Sequence, residues 1–310
     1  MSAPQNEDAV TVRRSELACP AHSLRMMAKA AASQADEVVF DLEDGCAPSQ
    51  KIAARKSLIE AFNTLDFGGK VRAFRPNSIH TKFFYRDVIE VVEAAGGNID
   101  VVVLPKIHEA ADVLFADRLL TQIEQNVGLP VGRIRLEALI ESAKAVLHAE
   151  QIAASTPRLV GLIFGVLDYA GNIGARGPVR EQFALYNYPK AKTVAAARAA
   201  GIDVVDGVTF QFRDLQQCEH DANSAAQMGF GGKWAIHPDQ VPVINQAFTP
   251  SPDEITRAQE IIDLYEKSDI ESGVGALVYK DEMIDAASLP MERKKLAIAR
   301  KTGLLHQAKK

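Results

Sequence analysis

The feature that most constrains this chain is a regular alternation. Eight short apolar runs are each followed by a longer amphipathic stretch. The candidate strands are Glu16–Cys19, Glu37–Asp41, Val71–Phe74, Val101–Leu104, Ile134–Ile140, Leu159–Phe164, Val204–Thr209 and Lys233–Ile236. Runs such as VVVL and LVGLIF are unbroken, as expected for strands of a parallel sheet buried on both faces. The helical patterns between them cover Ala21–Ser33, Ser49–Phe62, Thr81–Ala95, His108–Val127, Ala143–Ala154, Pro189–Ala200 and Asp214–Met228. Ser49 reads as an N-cap, and Gly201 and Gly229 as helix stops. Eight strands in alternation with helices predict an α/β fold, a (β/α)8 TIM barrel. An open dinucleotide-binding sheet fits less well, because no GxGxxG follows the first run. The glycines of GFGGK, Gly229–Lys233, lead into a strand rather than a helix.

Such barrels take roughly 250 residues, and the chain has 310. Residues 1–250 are therefore assigned to the barrel and 251–310 to a C-terminal helical lid segment. Ser251–Lys267 reads as one amphipathic helix opened by Ser-Pro-Asp-Glu. Glycine punctuation at 273–275, the stretch Asp281–Asp285 and a basic helical tail from Pro290 to Gln307 follow. This tail is too small to hold an independent core. The first residues are polar and expected to be loose.

Charge and composition exclude several function classes. The formal net charge is −5, which lacks the basic footprint of a nucleic-acid binder. No apolar run reaches the roughly 20 residues of a membrane helix. The start, MSAPQNEDAV, has no basic segment followed by an apolar one, so no secretory signal is expected. Cys19, Cys46 and Cys218 are odd in number and lack zinc-like spacing, which suits reduced thiols in a cytoplasmic protein.

In a TIM barrel, active sites lie at the C-terminal ends of the strands. The polar groups there are Asp41-Leu42-Glu43-Asp44, Arg75-Pro76-Asn77, Lys106, Glu141, Asp168 and His237-Pro238. Each has a structural alternative. The Asp-Leu-Glu-Asp run can be a solvated loop, Glu141 a favourable charge at a helix start and Asp168 a cap. Arg75 can simply neutralise the acidic loop, Lys106 can be a surface lysine and His237 can be structural. Glu137 reads as a strand residue facing the barrel interior. Together they say more: Glu141 and Asp168 come from adjacent strands, with Glu43 and Asp44 across the mouth. A cluster of carboxylates without His or Cys suits a hard cation such as Mg²⁺. There is neither a zinc signature nor a GxSxG elbow.

At this point a family resemblance emerges. RRSELACPA (Arg13–Ala21), VVFDLEDGCAPSQKIAAR (Val38–Arg55), RPN (Arg75–Asn77) and LPK (Leu104–Lys106) carry its first half. ALIESAKAV (Ala138–Val146), FGVLDYA (Phe164–Ala170), GFGGKWAIHPDQV (Gly229–Val241) and GALVYKDEMIDAA (Gly275–Ala287) carry the second. The chain resembles the citrate lyase β-subunit/malyl-CoA lyase family, Mg²⁺-dependent enzymes of the pyruvate/phosphoenolpyruvate barrel superfamily.

The resemblance implies making or breaking a C–C bond between an acyl-CoA thioester and a 2-oxo acid, as in cleavage of malyl-CoA, β-methylmalyl-CoA or citramalyl-CoA. It implies Glu141 and Asp168 as Mg²⁺ ligands and Arg75 as the cation on the oxo acid and the developing enolate. Glu43 and Asp44 would orient Arg75 and metal-bound water. Arg14 and Lys106 are candidates for CoA phosphates or the site edge, and Ile236, His237 and Pro238 for the nucleotide part of CoA. Asp285 matches a lid aspartate that reaches a neighbouring subunit's site, which implies a homotrimer or a hexamer. Around Asp168 the sequence departs from the family in Gly171, Gly174 and Arg176, and VYKDEMID replaces the usual Asp-Gly before the lid motif. Alternatives are a citrate lyase β subunit acting on an acyl-carrier-protein thioester, a malyl-CoA thioesterase and a non-catalytic barrel that binds CoA esters.

Overall fold

The apolar runs become strands because Val, Ile and Phe pack well on a pleated surface buried on both faces. The computed structural model describes residues 12–176, 182–272 and 275–305. The amino-terminal stretch 1–11, the glycine at 273 and the tail beyond 305 lie outside the described residues. The chain divides into two units, Arg13–Asn245 on the one hand and Met1–Val12 with Gln246–Lys310 on the other.

The first unit is a closed barrel of parallel strands: β1 (Ser15–Pro20), β2 (Glu37–Asp41), β3 (Val71–Arg75), β4 (Val101–Leu104), β5 (Arg135–Ile140), β6 (Leu159–Phe164), β7 (Asp203–Asp206) and β8 (Gly232–Ala235). β1 closes the ring against β8, with Glu16 opposite Trp234. The (β/α)8 barrel expected from the alternation is the fold observed. Strands β7 and β8 stop earlier than the apolar pattern suggested, because Gly207–Thr209 and Ile236 already belong to the loops at the mouth.

Strand alternation sorts the barrel interior into layers. Val39, Ala73, Val103, Leu139, Ile163, Val205 and Trp234 form an apolar middle layer, packed against Ala18. Two residues towards the strand starts, the inward positions hold Glu16, Glu37, Val71, Val101, Glu137, Gly161, Asp203 and Gly232. Two residues towards the strand ends, they include Asp41, Arg75 and Glu141. Glu137 faces the interior, as its place in the sequence suggested.

Outside the sheet, Phe40 and Phe74 meet Phe62 of the helix Lys51–Thr64, with ring centroids 5.3 and 6.3 Å apart, and Phe67 joins them. Each such ring pair adds on the order of 1 kcal/mol beyond area burial. This packing fixes a helix whose first turn carries Lys51, a residue that returns at the mouth. Several helix limits differ from the sequence reading. Ser49 does not cap this helix. Gln50 occupies the N-cap in an αR conformation without a side-chain bond. Ala143–Ala154 breaks at His148 into Ala143–Leu147 and Ala149–Ala153. Ser142 and Asp214 do cap, accepting from Ala145 N and Gln217 N. Gly201 (φ 70°) and Gly229 (φ 104°) end their helices in the left-handed region, as expected. The three cysteines are free and buried.

The second unit is not purely helical. After the helix Pro252–Ser272, β9 (Ala276–Tyr279) and β10 (Glu282–Asp285) form an antiparallel hairpin, followed by the helix Leu289–Lys301. Lys280 and Asp281 both have positive φ, the two-residue turn whose twist suits a hairpin. Ala258, Ile261, Tyr279, Ile284, Leu289 and Leu296 pack together, so this segment carries a small apolar cluster of its own. Among the described residues no helix is long and apolar enough to cross a membrane.

Gly232 shows how tightly the barrel floor is built. A Cβ there would lie 1.8 Å from the backbone oxygen of Arg13, and backbone cannot swing aside as a flexible side chain can. Gly232→Ala is expected to lower stability by about 3 kcal/mol, read as a lower urea midpoint with an unchanged slope. An unchanged midpoint would contradict this packing.

Candidate active site

The mouth of the barrel is built on an ion pair that joins β2 to β3. Asp41 ends β2 facing inward, and Arg75 ends β3 in the same layer. Arg75 donates from Nε and Nη2 to the two Asp41 oxygens at 2.8 and 2.7 Å, a bidentate geometry. Asp41 also accepts from the backbone of Glu43 (2.8 Å) and Gly45 (2.7 Å). Burial alone would raise the Asp41 carboxyl, but the charge and hydrogen bonds of Arg75 and these two amides hold it below the usual carboxylate range. The Arg75 guanidinium lies over the Trp234 ring, 5.3 Å from its centroid, a favourable cation–π placement.

The loop after β2 then reaches across the mouth. Glu43 is buried and lies 3.3 Å from Arg75 Nη1 and 2.8 Å from Lys106 Nζ. Burial pushes its carboxyl up against the pull of these two cations. Asp44 sits more openly and faces Lys106 at 3.3 Å. The expectation that Asp44 orients Arg75 is corrected: Asp41 and Glu43 hold Arg75, and Asp44 holds Lys106. Burial disfavours the Lys106 charge, yet its hydrogen bond to Glu43, with Asp44 and Asp168 nearby, raises its pKa.

Lys106 does more than bring a charge. Its backbone is left-handed, with φ 52°, a conformation that costs a non-glycine residue of order 1 kcal/mol or more. In it the Lys106 N–H donates to Glu141 Oε1 at 2.5 Å, while Nζ lies 3.9 Å from Asp168. Glu141 is buried at the end of β5, and Asp168 stands in the first turn of the helix Val166–Asn172 after β6. Burial, then Asp168, then Glu43 push the Glu141 carboxyl up to about 8. Gly165 makes this position available, because a Cβ there would fall 2.5 Å from Glu141 Cβ and 2.6 Å from Oε2.

A buried scaffold supports the loop from behind. Lys51 Nζ donates to the backbone oxygens of Leu42 (3.0 Å) and Glu43 (2.8 Å) and to Asn77 Oδ1. Asn77 donates in turn to Asp87, which also receives Arg55 at 2.6 Å. Sequence reasoning placed Asp41 at the mouth without a role and missed Lys51, Gly165 and Trp234. For Asp41 a signal existed, since strand alternation with Val39 turns it inward. The other three depend on contacts between distant segments.

The structure thus brings Glu43, Asp44, Arg75, Lys106, Glu141 and Asp168 to one mouth. Ile236, His237 and Pro238 follow β8, where Gln240 Oε1 accepts from the amides of Ile236 and His237 and the His237 ring stacks on Phe212. Arg14 is a correction. It precedes β1, at the opposite end of the barrel, and is held by Asp36 through Nε and Nη2 at 2.8 Å each. That position takes it away from any ligand at the mouth. Asp285 ends β10 in the second unit and accepts from Ala287 N at 2.9 Å.

Comparison with known proteins bears directly on this site. The profile of the HpcH/HpaI aldolase/citrate lyase family matches residues 14–238. The chain belongs to this family. It is 39% identical over 291 residues to an L-malyl-CoA/beta-methylmalyl-CoA lyase of Cereibacter sphaeroides, covering 89% of this chain and 91% of the relative. It is 32% identical to the citrate lyase subunit beta of Leuconostoc mesenteroides subsp. cremoris, covering 88% and 89%. Among solved structures it is similar to the protein CitE of Mycobacterium tuberculosis in complex with magnesium, acetoacetate and coenzyme A. There the TM-score is 0.77 at 28% identity, over 93% of this chain and 98% of that one.

As a member of the HpcH/HpaI aldolase/citrate lyase family the chain is a carbon–carbon lyase. Its mouth carboxylates fit a magnesium ion: the donors are all oxygen, and the two acidic groups strain against each other until a cation relieves them. The sign of this strain is measurable in metal-free protein. The unfolded chain releases the Glu141 proton near the ordinary 4.5, whereas the folded one keeps it to about 8. Stability is therefore expected to fall as pH rises through that window, by on the order of 3 kcal/mol. Chemical unfolding of metal-free protein from pH 5 to 8 checks this, and Glu141→Gln should flatten the slope. A slope unchanged in the variant would count against the assignment.

Proposed function

We propose that this protein is a Mg²⁺-dependent acyl-CoA lyase that cleaves or forms a 3-hydroxyacyl-CoA such as malyl-CoA, β-methylmalyl-CoA or citramalyl-CoA. The observation that carries the reading is the joining of Glu141 and Asp168 with Arg75 at one barrel mouth. Glu141 and Asp168 would hold the Mg²⁺. When bound, the ion supplies Lewis-acid polarisation of the oxo-acid oxygens.

In cleavage the substrate hydroxyl passes its proton to a water at the mouth, the bond between the hydroxyl carbon and the thioester α-carbon breaks, and its electron pair moves onto the thioester as an enolate. Arg75 is already oriented by Asp41 and Glu43, so it stabilises the developing oxyanion without reorganising. Lys106 and Glu43 set the charge and shape of the wall beside Arg75. Asp285 is assigned the proton that goes to the enolate carbon, and in condensation it takes that proton from the acyl methyl group. It acts from a neighbouring subunit, which makes the active form a homotrimer or a hexamer. Closure of the lid excludes water and limits thioester hydrolysis. Ile236, His237 and Pro238 are assigned to the nucleotide part of CoA.

Purified protein with Mg²⁺ and each CoA ester tests this. The expected products are acyl-CoA and a 2-oxo acid, with Arg75→Lys and Glu141→Gln each lowering kcat by about 10²–10³-fold. Asp285→Asn should lower kcat with little change in Mg²⁺ dependence. No cleavage of any ester, and no condensation of acetyl- or propionyl-CoA with glyoxylate or pyruvate, would overturn the reading. Free malate in place of glyoxylate would make it a thioesterase. Activity only on an acyl-carrier-protein thioester would make it a citrate lyase β subunit. CoA-ester binding without turnover would leave a non-catalytic barrel.

A further inference from the structure

The opposite end of the barrel holds a second acidic centre that the mouth chemistry does not use. Glu16 on β1, Glu37 on β2 and Glu137 on β5 face inward in the floor layer, and all three are fully buried. One carboxylate oxygen from each lies within 4.8 Å of those of the other two. Arg13 is the cation among them, 2.8 Å from Glu137, 3.3 Å from Glu37 and 3.6 Å from Asp203. Asp203 is partly exposed and is also approached by Arg198 at 3.8 Å.

The charges do not close. Among the described residues, with Asp203 set against Arg198, three buried carboxylates face one guanidinium, an excess of two negative charges. Burying an unpaired carboxylate is among the costliest arrangements a core can contain. Glu16 makes the point independently of the cluster count. It is fully buried and aimed into the layer, and neither of its oxygens finds a hydrogen bond or an ion pair among the described residues. Gly161 occupies an inward position of the same layer; a Cβ there would fall 3.2 Å from Glu137 Cγ, so the glycine leaves the Glu137 side chain its place in the cluster.

We propose that Glu16, Glu37 and Glu137 bind one divalent cation of the hard, oxygen-preferring class (Ca²⁺, Mn²⁺ or Mg²⁺) at the barrel floor, as a structural site separate from the mouth. Two positive charges balance the excess, and an all-carboxylate donor set selects this class over zinc or copper. Such an ion ties β1, β2 and β5 together across the barrel axis. Burial and mutual repulsion push Glu16 and Glu37 far above the ordinary carboxylate range, so the ion must displace protons to enter, and its affinity should rise with pH. The chemistry that competes with it is retention of two protons by the same three groups.

The test uses full-length protein stripped with chelator, loaded with Mn²⁺, passed over a desalting column and analysed for metal. Wild type is expected to retain about two equivalents, Glu141→Gln about one, and the double variant Glu16→Gln/Glu141→Gln about none. The melting temperature of Glu141→Gln should rise with Mn²⁺ or Ca²⁺. If the double variant does not fold, Glu37→Gln/Glu141→Gln takes its place with the same expected loss. No metal and no metal-dependent melting in Glu141→Gln would overturn the site in favour of buried protons. An ion retained equally by Glu141→Gln and the folded double variant would also overturn it. One equivalent in wild type and in Glu141→Gln, lost in Glu16→Gln/Glu141→Gln, would uphold the floor site and instead count against metal at the mouth.

Discussion

The pairing of Arg75 with Asp41 is the interaction on which the rest of the mouth depends. An arginine at the end of an inward-facing strand position has little access to water, so its charge must be answered within the barrel. Asp41 answers it with both oxygens, and the same carboxylate receives the first amides of the following loop. That double use bends the chain after β2 so that Glu43 turns back towards Arg75 and Lys106. With Arg75 neutralised from below, its remaining surface is available to a ligand. A lysine here could not reproduce this, because an ammonium lacks the planar fork that meets a carboxylate and lies flat on Trp234 at once.

From this pair the site propagates by backbone as much as by side chain. Lys106 bridges the two acidic regions: its Nζ goes to Glu43 and its amide to Glu141. The left-handed turn that points the amide inward is a local strain, and the hydrogen bond to a charged acceptor offsets it. Gly165 completes the arrangement by leaving room that any side chain would fill. Glu141 is therefore placed by residues that follow β4 and β6, its two neighbours in the barrel, rather than by its own loop.

This explains which parts were legible in the sequence. Strand count and order were legible because burial on both faces writes continuous apolar runs, and the helix stops were legible where Gly201 and Gly229 take positive φ. The hairpin around Asp285 was not: its strands are four residues each, half exposed, and turn at Lys-Asp rather than at the Asn-Gly that marks such turns. The mouth acids were visible as charges that follow apolar runs. Their partners were not, since Asp41 looked like one more acid in a loop and Lys51 like any helical lysine. Arg14 was misplaced because a motif residue was read without its register. It stands before β1, and only residues at or beyond a strand's C-terminal end reach the mouth.

The layered interior connects these observations. Charged groups occupy both ends of the barrel, and the apolar middle layer around Val39, Leu139, Ile163 and Trp234 separates them. This layer keeps the charges of the two ends out of contact, so among the described residues no acid of one end is hydrogen-bonded or ion-paired by a cation of the other. Each end must balance its own charge. The mouth sets Arg75 and Lys106 against Asp41, Glu43 and the more open Asp44, which leaves Glu141 and Asp168 as acids still to be balanced. Among the described residues the floor sets Arg13 against Glu16, Glu37 and Glu137, and faces the same demand with all three carboxylates buried. The same physical argument that reads the mouth as a cation site therefore applies with greater force at the floor, where burial is complete.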